Sequence, residues 1–481
     1  MNGQPAPVRP NWKTHPLTII VLLLVGILAS YFIYRHSLTL SVQARIDTIH
    51  HAGFPATCAE LDKWYLQPPA GENAADVFRE AFAHYAMWTN KDAQFVAPAD
   101  ARDTNKYLLP PRSKHDLLPI VGMAKLPPRT EPLAAETQKR VAVYLFDNAE
   151  SLRLLHRAGA MKSSRYPTDL SNGVMTLLPH LSSVRQAARL LDLEAIQYTE
   201  KQQPQFAVDS VVASLGVSRS LDQEPTLISY LVHIACEGMA LASLERILNR
   251  MPLTDEQLSK LAARVQESVN QQAFTRAFAG ERCMHIDVFQ GLRMGKIPFN
   301  EIPYIGQESF GPRLLIAVYS STGLLQLDER EYLDVMERYV KATQVPPPES
   351  VAAFHAVEEQ VQHLTGWHIL SRMLLPALGP LASKAARCDA KIRDAQAALA
   401  IERYRLANGK LPTQLSDLVP TFLPSVPSDP FDGKPLRYKT LPKGYVVYSV
   451  GEDREDNGGT EKNSKGLSYV PGTDITFTVE R

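Results

Sequence analysis

Residues 184–196, VRQAARLLDLEAI, place Val184, Ala187, Ala188, Leu191, Ala195 and Ile196 at intervals of three and four. An α-helix turns once in 3.6 residues, so these side chains share one face and the segment predicts an amphipathic helix. The same spacing extends outward through Val141, Leu145, Ala149, Leu152 and Leu155 on one side and Leu227, Leu231, Ile234, Leu241 and Leu248 on the other. Breaks fall at Tyr166-Pro167, Glu224-Pro225, Met251-Pro252 and Lys296-Ile297-Pro298, where proline removes a backbone donor and clashes with the preceding turn. Residues 137–345 therefore read as a helical body, with antiparallel helices stacked as in a bundle or solenoid and no fixed repeat. The fold class is mainly α.

Upstream, Leu17 to Tyr34 reads LTIIVLLLVGILASYFIY and carries no charge. Eighteen helical residues span about 27 Å, close to the hydrocarbon thickness of a bilayer, so the expectation is a transmembrane helix. Tyr31 and Tyr34 at one end and Trp12 near the other suit the two membrane interfaces. No small-x-small site follows the apolar run, which points to an uncleaved anchor. Arg9 and Lys13 precede it and Arg35 and Arg45 follow, a small bias toward a cytoplasmic N-terminus with the bulk of the chain outside. Residues 1–16 are then a short tail, 17–34 the anchor and 35–136 a helical and proline-rich membrane-proximal region. Within that region Thr57 is placed to cap a helix, Ala74, Val77, Phe78, Ala81, Phe82 and Tyr85 predict an amphipathic one, and residues 90–132 form a connector packed over the body.

With 481 residues the chain can bury more than one core, and Lys+Arg and Asp+Glu balance at 51 each. No basic stripe is available to neutralise phosphates, so nucleic acid is not an expected partner. Cys58, Cys236, Cys283 and Cys388 are widely separated and form no CxxC; outside the cytoplasm three pairings would be open to them.

Pro346-Pro347-Pro348 ends the body, and residues 346–394 read as a connector with helices, broken at Gly379-Pro380. From 395 to 481 the pattern changes to a small α+β domain. A helical stripe of Cys388, Ile392, Ala395, Leu399 and Leu406 stops at Asn408-Gly409, where glycine takes the left-handed C-cap conformation. Thr413 is placed to cap a short turn, Asp432-Gly433 signals a hairpin, and Leu436–Tyr438, Tyr445–Val450 and Ile475–Val479 alternate as strands. The order Arg403-Tyr404, Asn408-Gly409, Pro412, Asp429-Pro430-Phe431, Gly433-Lys434-Pro435, Tyr448-Ser449-Val450-Gly451, Asp453, Gly458-Gly459 and Asp474-Ile475 resembles the globular head of the major pseudopilin of type II secretion systems. The resemblance covers about a fifth of the chain. It implies a helix packed on a small antiparallel sheet and a calcium ion held by the loop after the Ser-x-Gly strand, with Asp453, Asp456 and Asp474 at or near the acidic positions. It does not imply assembly into a pseudopilus, because the apolar helix lacks the Gly-Phe processing site and the acid of that family and lies hundreds of residues from the head. The whole layout is similar to bacterial single-pass membrane-anchored families that carry such a tail.

Catalytic signatures are sparse. His355, Glu359 and His363, with His368 beyond, have the spacing of helix-borne metal ligands, but the outer pair are about 80° apart around a helix and the His-Glu-x-x-His order is missing, so a solvated face is expected. Glu281 and His285 at i, i+4 can meet, while Cys283 and His285 point apart. There is no Gly-x-Ser-x-Gly elbow, P-loop, Gly-x-Gly-x-x-Gly or paired CxxC. The leading expectation is a structural or protein-interaction role at the inner membrane of a bacterium, with the lipid bilayer and an envelope protein as partners. The rival is a membrane-anchored, hydrolase-like enzyme using Glu281 and His285 in a groove of the body. An apolar groove would favour a peptide-binding scaffold, and convergent shifted acids would favour the enzyme.

Overall fold

The computed structural model describes residues 16–86, 117–296, 319, 321–376, 378–461 and 472–481. Among these residues are fourteen α-helices and one three-stranded sheet. The first ten helices are α1 Pro16–His51, α2 Cys58–Trp64, α3 Ala74–Ala83, α4 Ala135–Asp147, α5 Ala149–Gly159, α6 His180–Glu200, α7 Pro204–Arg219, α8 Leu227–Arg250, α9 Asp255–Glu267 and α10 Gln271–Arg293. The last four are α11 Leu324–Thr343, α12 Glu349–Gln362, α13 Ile369–Leu374 and α14 Leu381–Asn408. β1 Arg437–Leu441, β2 Gly444–Ser449 and β3 Ile475–Val479 pair antiparallel in that order. The mainly helical fold with an apolar N-terminal helix and a small C-terminal antiparallel sheet is as the residue spacing predicts.

The apolar helix does not end where its apolar run ends. α1 continues for a further seventeen residues, from Arg35 to His51, and buries Leu38, Val42, Ile46 and Ile49 against the body, chiefly on α11. The Arg45 guanidinium grips the Asp334 carboxylate with two bonds of 2.7 Å, and Arg35 donates to the Ser321 carbonyl at 3.1 Å. The Tyr31 hydroxyl donates to the same carbonyl. α1 and α11 therefore run parallel, and the 34/35 boundary expected between anchor and membrane-proximal region falls inside one rod. The residues from Ile19 to Tyr34 are exposed, which suits a helix apolar enough to cross a membrane. α8 is apolar enough by composition but is largely buried as a core helix.

α6, α7 and α8 pack against one another, α5 lies on α3 and α7, α10 lies on α8 and α11, and α14 lies on α8 and α9. Close approach is built in by glycine. A Cβ on Gly216 of α7 would stand 2.3 Å from the Gly159 carbonyl oxygen, and one on Gly280 of α10 would stand 1.7 Å from the carbonyl oxygen of Pro225. The described part of the proline-rich connector is strapped to α8, with Arg246 donating to the carbonyls of Pro127 and Pro128 at 3.1 and 3.2 Å; residues 90–116 of it lie outside the described residues.

At the C-terminus α14 starts after Pro380, as the Gly379-Pro380 break predicts, and is stopped by Gly409 at φ 68°. It runs through the 394/395 boundary expected for a separate domain. Leu399, Tyr445, Val447, Phe477 and Val479 belong to the same apolar core as α8, α9 and α11. Main-chain groups of β3 and its flank bond to α8: Thr478 N–H to Glu245 at 2.7 Å, Asn249 Nδ2 to the Thr478 carbonyl at 2.7 Å, and Glu480 N–H to Asn249 at 2.8 Å. Leu406, expected on the sheet-facing stripe, is 51% exposed because the last turn of α14 projects beyond the body. Thr413 does not cap through its hydroxyl; Asp417 accepts the amides of Thr413 and Gln414 instead. Asp432-Gly433 turns within a loop organised by the buried Asp429, which accepts from Phe431 N, Ser449 Oγ, Val450 N and Arg437 at 2.8–2.9 Å. The hairpin itself turns at Pro442-Lys443.

Gly280→Ala tests this packing. Alanine normally stabilises an exposed helix site by up to about 1 kcal/mol over glycine, but here the methyl meets a backbone carbonyl, so the variant is expected to lose about 2 kcal/mol or more of unfolding free energy in denaturant titration. Unchanged or increased stability would show that α10 does not lie this close to Pro225.

Candidate functional site

Glu281 and His285 do meet. On α10 the Nε2 of His285 stands 3.3 Å from Glu281 Oε1, and its Nδ1 is 2.8 Å from the Tyr332 hydroxyl of α11. Burial pushes the Glu281 carboxyl up to about 7 and the His285 imidazole down to about 4. Both shifts favour the uncharged forms, and the pair is a hydrogen-bonded element of the α10–α11 interface rather than an ion pair. Neither side chain borders the cavity or grooves described below.

His355, Glu359 and His363 lie exposed on or just beyond α12, and His368 is half-buried with its ring 3.1 Å from Thr365 Oγ1. In the C-terminal loop, Asp453 accepts the amides of Glu455 and Gly472 at 3.1 and 3.2 Å. Asp456 accepts from the Tyr448 hydroxyl and the Gly458 amide at 3.0 and 2.9 Å. Asp474 accepts the amides of Asn457, Gly459 and Thr460 at 3.3, 2.7 and 3.3 Å; burial raises its pKa against these bonds, and Asp456 adds to the rise. Hard oxygens on a glycine-rich loop are the donors calcium takes. As arranged, however, these carboxylates hold the loop together, and among the described residues no three His, Cys, Asp or Glu side chains are grouped to hold a metal ion.

Sequence reasoning missed a polar cluster at the α8–α14 contact. There a cavity of ≈ 130 Å³ is bordered by Tyr230, His233, Glu237, Phe274, Cys388 and Asp389. His233 lies between Asp222 at 3.2 Å and Glu237 at 3.7 Å, and Ser218 Oγ is 2.9 Å from its Nδ1. Burial lowers the imidazole pKa, but Asp222 and Glu237 outweigh it and the net shift is upward. Burial raises Glu237, and it lifts the Cys388 thiol, which donates to Glu237 at 3.2 Å, well above its ordinary range. A thiol held in its protonated form is not a nucleophile. The volume corresponds to about four waters at roughly 30 Å³ each, below the 300 Å³ or so at which small-molecule sites begin. The signal in the sequence was His233 and Glu237 at i, i+4 in an otherwise apolar stretch; Asp222 and Cys388 arrive from elsewhere in the chain. All four cysteines are buried free thiols, with no pair bonded among them.

Two grooves differ in lining. One, of ≈ 540 Å³ between α4–α5 and α6–α7, is mixed: exposed Phe146 and Phe206 flank His156, which bonds Glu194 at 2.7 Å. The other, of ≈ 490 Å³, lies between residues 176–185 and the start of α8. It is walled by Leu177, Leu178, Leu181, Ile228, Leu231 and Val232, with Arg185 the one charged residue among the described lining. Leu177 and Ile228 are 82% and 59% exposed.

Comparison with known protein families, curated proteins and solved structures yields no match.

The Glu281 carboxyl makes a pH test possible. Its raised pKa means that its contribution to stability is full below the ordinary value of 4.5 and is lost as pH rises through about 7. Relative to Glu281→Gln, the native chain should lose up to ~3 kcal/mol of unfolding free energy between pH 4.5 and 8. A difference that stays flat across that window would mean the carboxyl is solvated.

Proposed function

We propose that the chain is a single-pass envelope protein with a structural, protein-interacting role, anchored in the bacterial cytoplasmic membrane by uncleaved α1 and holding its body and head outside. The observation that carries this reading is the Leu177–Ile228 groove. It presents exposed apolar side chains, and its described lining holds no Asp, Glu, His or Cys beside the hydroxyls of Thr176 and Ser182, a surface suited to receiving an apolar segment of another protein. The rival hydrolase reading requires Glu281 and His285 to face a substrate. His285 is buried against Tyr332, and neither it nor the partly exposed Glu281 borders the grooves, which favours a packing role.

The helix-on-sheet arrangement of the C-terminal region supports the pseudopilin-type head. In this chain the head is a stabilising module: the α14 face a free head would offer to a neighbour is covered by α8 and α9. Apolar groups on a groove wall act in recognition by leaving water, so an acidic substitution there should abolish binding without disturbing the core. A photo-crosslinking residue at Leu177, in cells, should give one discrete adduct that disappears when Ile228→Asp is added at normal expression. Absence of any adduct, or an adduct indifferent to Ile228→Asp, would overturn the groove as the interaction site.

A further inference from the structure

We infer that the end of the body formed by Met294, Lys296, Trp367 and Arg372 rests in the headgroup layer of the bilayer that α1 crosses, so that the body lies on the membrane instead of standing off it. This rests on the reading of α1 as a membrane span. Two contacts set the height of the body. Tyr31, still within the apolar run, and Arg35, its first following charge, both donate to Ser321, while Arg45 pairs with Asp334 farther along. A Cβ on Gly323 would stand 3.0–3.4 Å from side-chain atoms of Leu38, Arg35 and Tyr34. The start of α11 is thus held at the level where the apolar run ends. Eighteen residues make about 27 Å against a hydrocarbon layer of ~30 Å, which draws that level into the bilayer surface rather than above it.

The neighbouring elements bring their ends to the same height. α10 runs antiparallel to α11, with Arg282 on Glu337, His285 on Tyr332 and Arg293 on Glu329, so Met294 and Lys296 descend toward the bilayer. Asp328 accepts the amides of Leu370 and Ser371, which seats Trp367 beside the same turn of α11. Asp328 lies seven residues past Ser321, about 10 Å along the axis and so a few ångströms beyond a headgroup layer ~6 Å deep, and Trp367, three residues before Leu370, and Lys296, three residues past Arg293, reach that layer by extending from this turn toward the bilayer. On this end of the body the Trp367 indole is 62% exposed, and Lys296 and Arg372 are exposed beside Met294; an indole and long cationic side chains are those that populate membrane interfaces. Because α1 is docked along its whole extramembrane length, the body cannot swing away on a linker.

The test uses the full chain in phosphatidylcholine–phosphatidylglycerol nanodiscs. The native thiols are buried, so a fluorophore goes to one introduced cysteine: Met294→Cys, Trp367→Cys, or Lys341→Cys, which stands about 30 Å farther along α11 from Ser321. Lipids carrying a headgroup nitroxide should quench the first two labels several-fold more than the third. Equal, weak quenching of all three, with a Leu24→Cys label quenched by a nitroxide deep in the acyl chains, would overturn the inference while leaving the anchor intact. A Leu24→Cys label untouched by the deep quencher would remove the span itself and the inference with it. Should Trp367→Cys fail to fold, Lys296→Cys reads the same surface.

Discussion

The burial of α14 between the helical body and the sheet is the constraint on which the rest of the C-terminal half depends. Ala395, Ala397, Ala398, Leu399 and Ile401 are all fully buried, and Tyr445, Val447, Phe477 and Val479 close over them from β2 and β3. The four sheet residues alone, at roughly 1.5–3 kcal/mol each, contribute on the order of 10 kcal/mol to the union. That offsets polar costs in the same seam. Asp394 is fully buried with both carboxyl oxygens unbonded, Glu245 is raised to about 7 chiefly by burial, and the Lys391 ammonium is lowered by it. Burial raises the Asp394 pKa well above the ordinary carboxylate value, and leaving such a group unsatisfied costs about 1–3 kcal/mol, so apolar burial decides the outcome. A helix that serves body and head at once leaves no joint between them.

The same comparison of magnitudes applies at the membrane end. The Arg45–Asp334 pair is partly exposed, about a third on each side, and is worth roughly 1 kcal/mol or less. Leu38, Val42, Ile46 and Ile49 together are worth about 6 kcal/mol or more. Hydrophobic contact therefore holds α1 to α11, and the bidentate pair fixes the register between two parallel helices. One continuous rod thus transmits the position of the body directly to the anchor.

Fold class was legible because helical periodicity is local: each of α6, α8 and α14 carries its own face in its own residues. The buried stripe after the anchor, Leu38, Val42, Ile46 and Ile49, is also written there at intervals of four, four and three, diluted by small polar neighbours. Leu406 kept the stripe's spacing yet had no partner, since periodicity cannot say how far the opposing surface extends. Asp432-Gly433 has the composition of a hairpin turn but serves Asp429, whose importance arises from Arg437 nearby and from Ser449 and Val450 about twenty residues along the chain. The Asp222–His233–Glu237–Cys388 cluster was illegible for the same reason, its members being drawn from separated segments. Glu281 and His285 were readable as neighbours, being one turn apart, whereas the burial of His285 against Tyr332 depends on α11.

Hydrogen exchange of the full chain in nanodiscs, followed across a denaturant series, addresses the unity of body and head most directly. Contiguous cooperative units open with a common free energy. The amides of Val446 and Val447 in β2 and those of Ala240 to Leu244 in α8 should merge into one opening at the same denaturant concentration. Sheet amides that exchange through a separate, lower-energy opening while α8 stays protected would contradict the account and restore the head as an independent module.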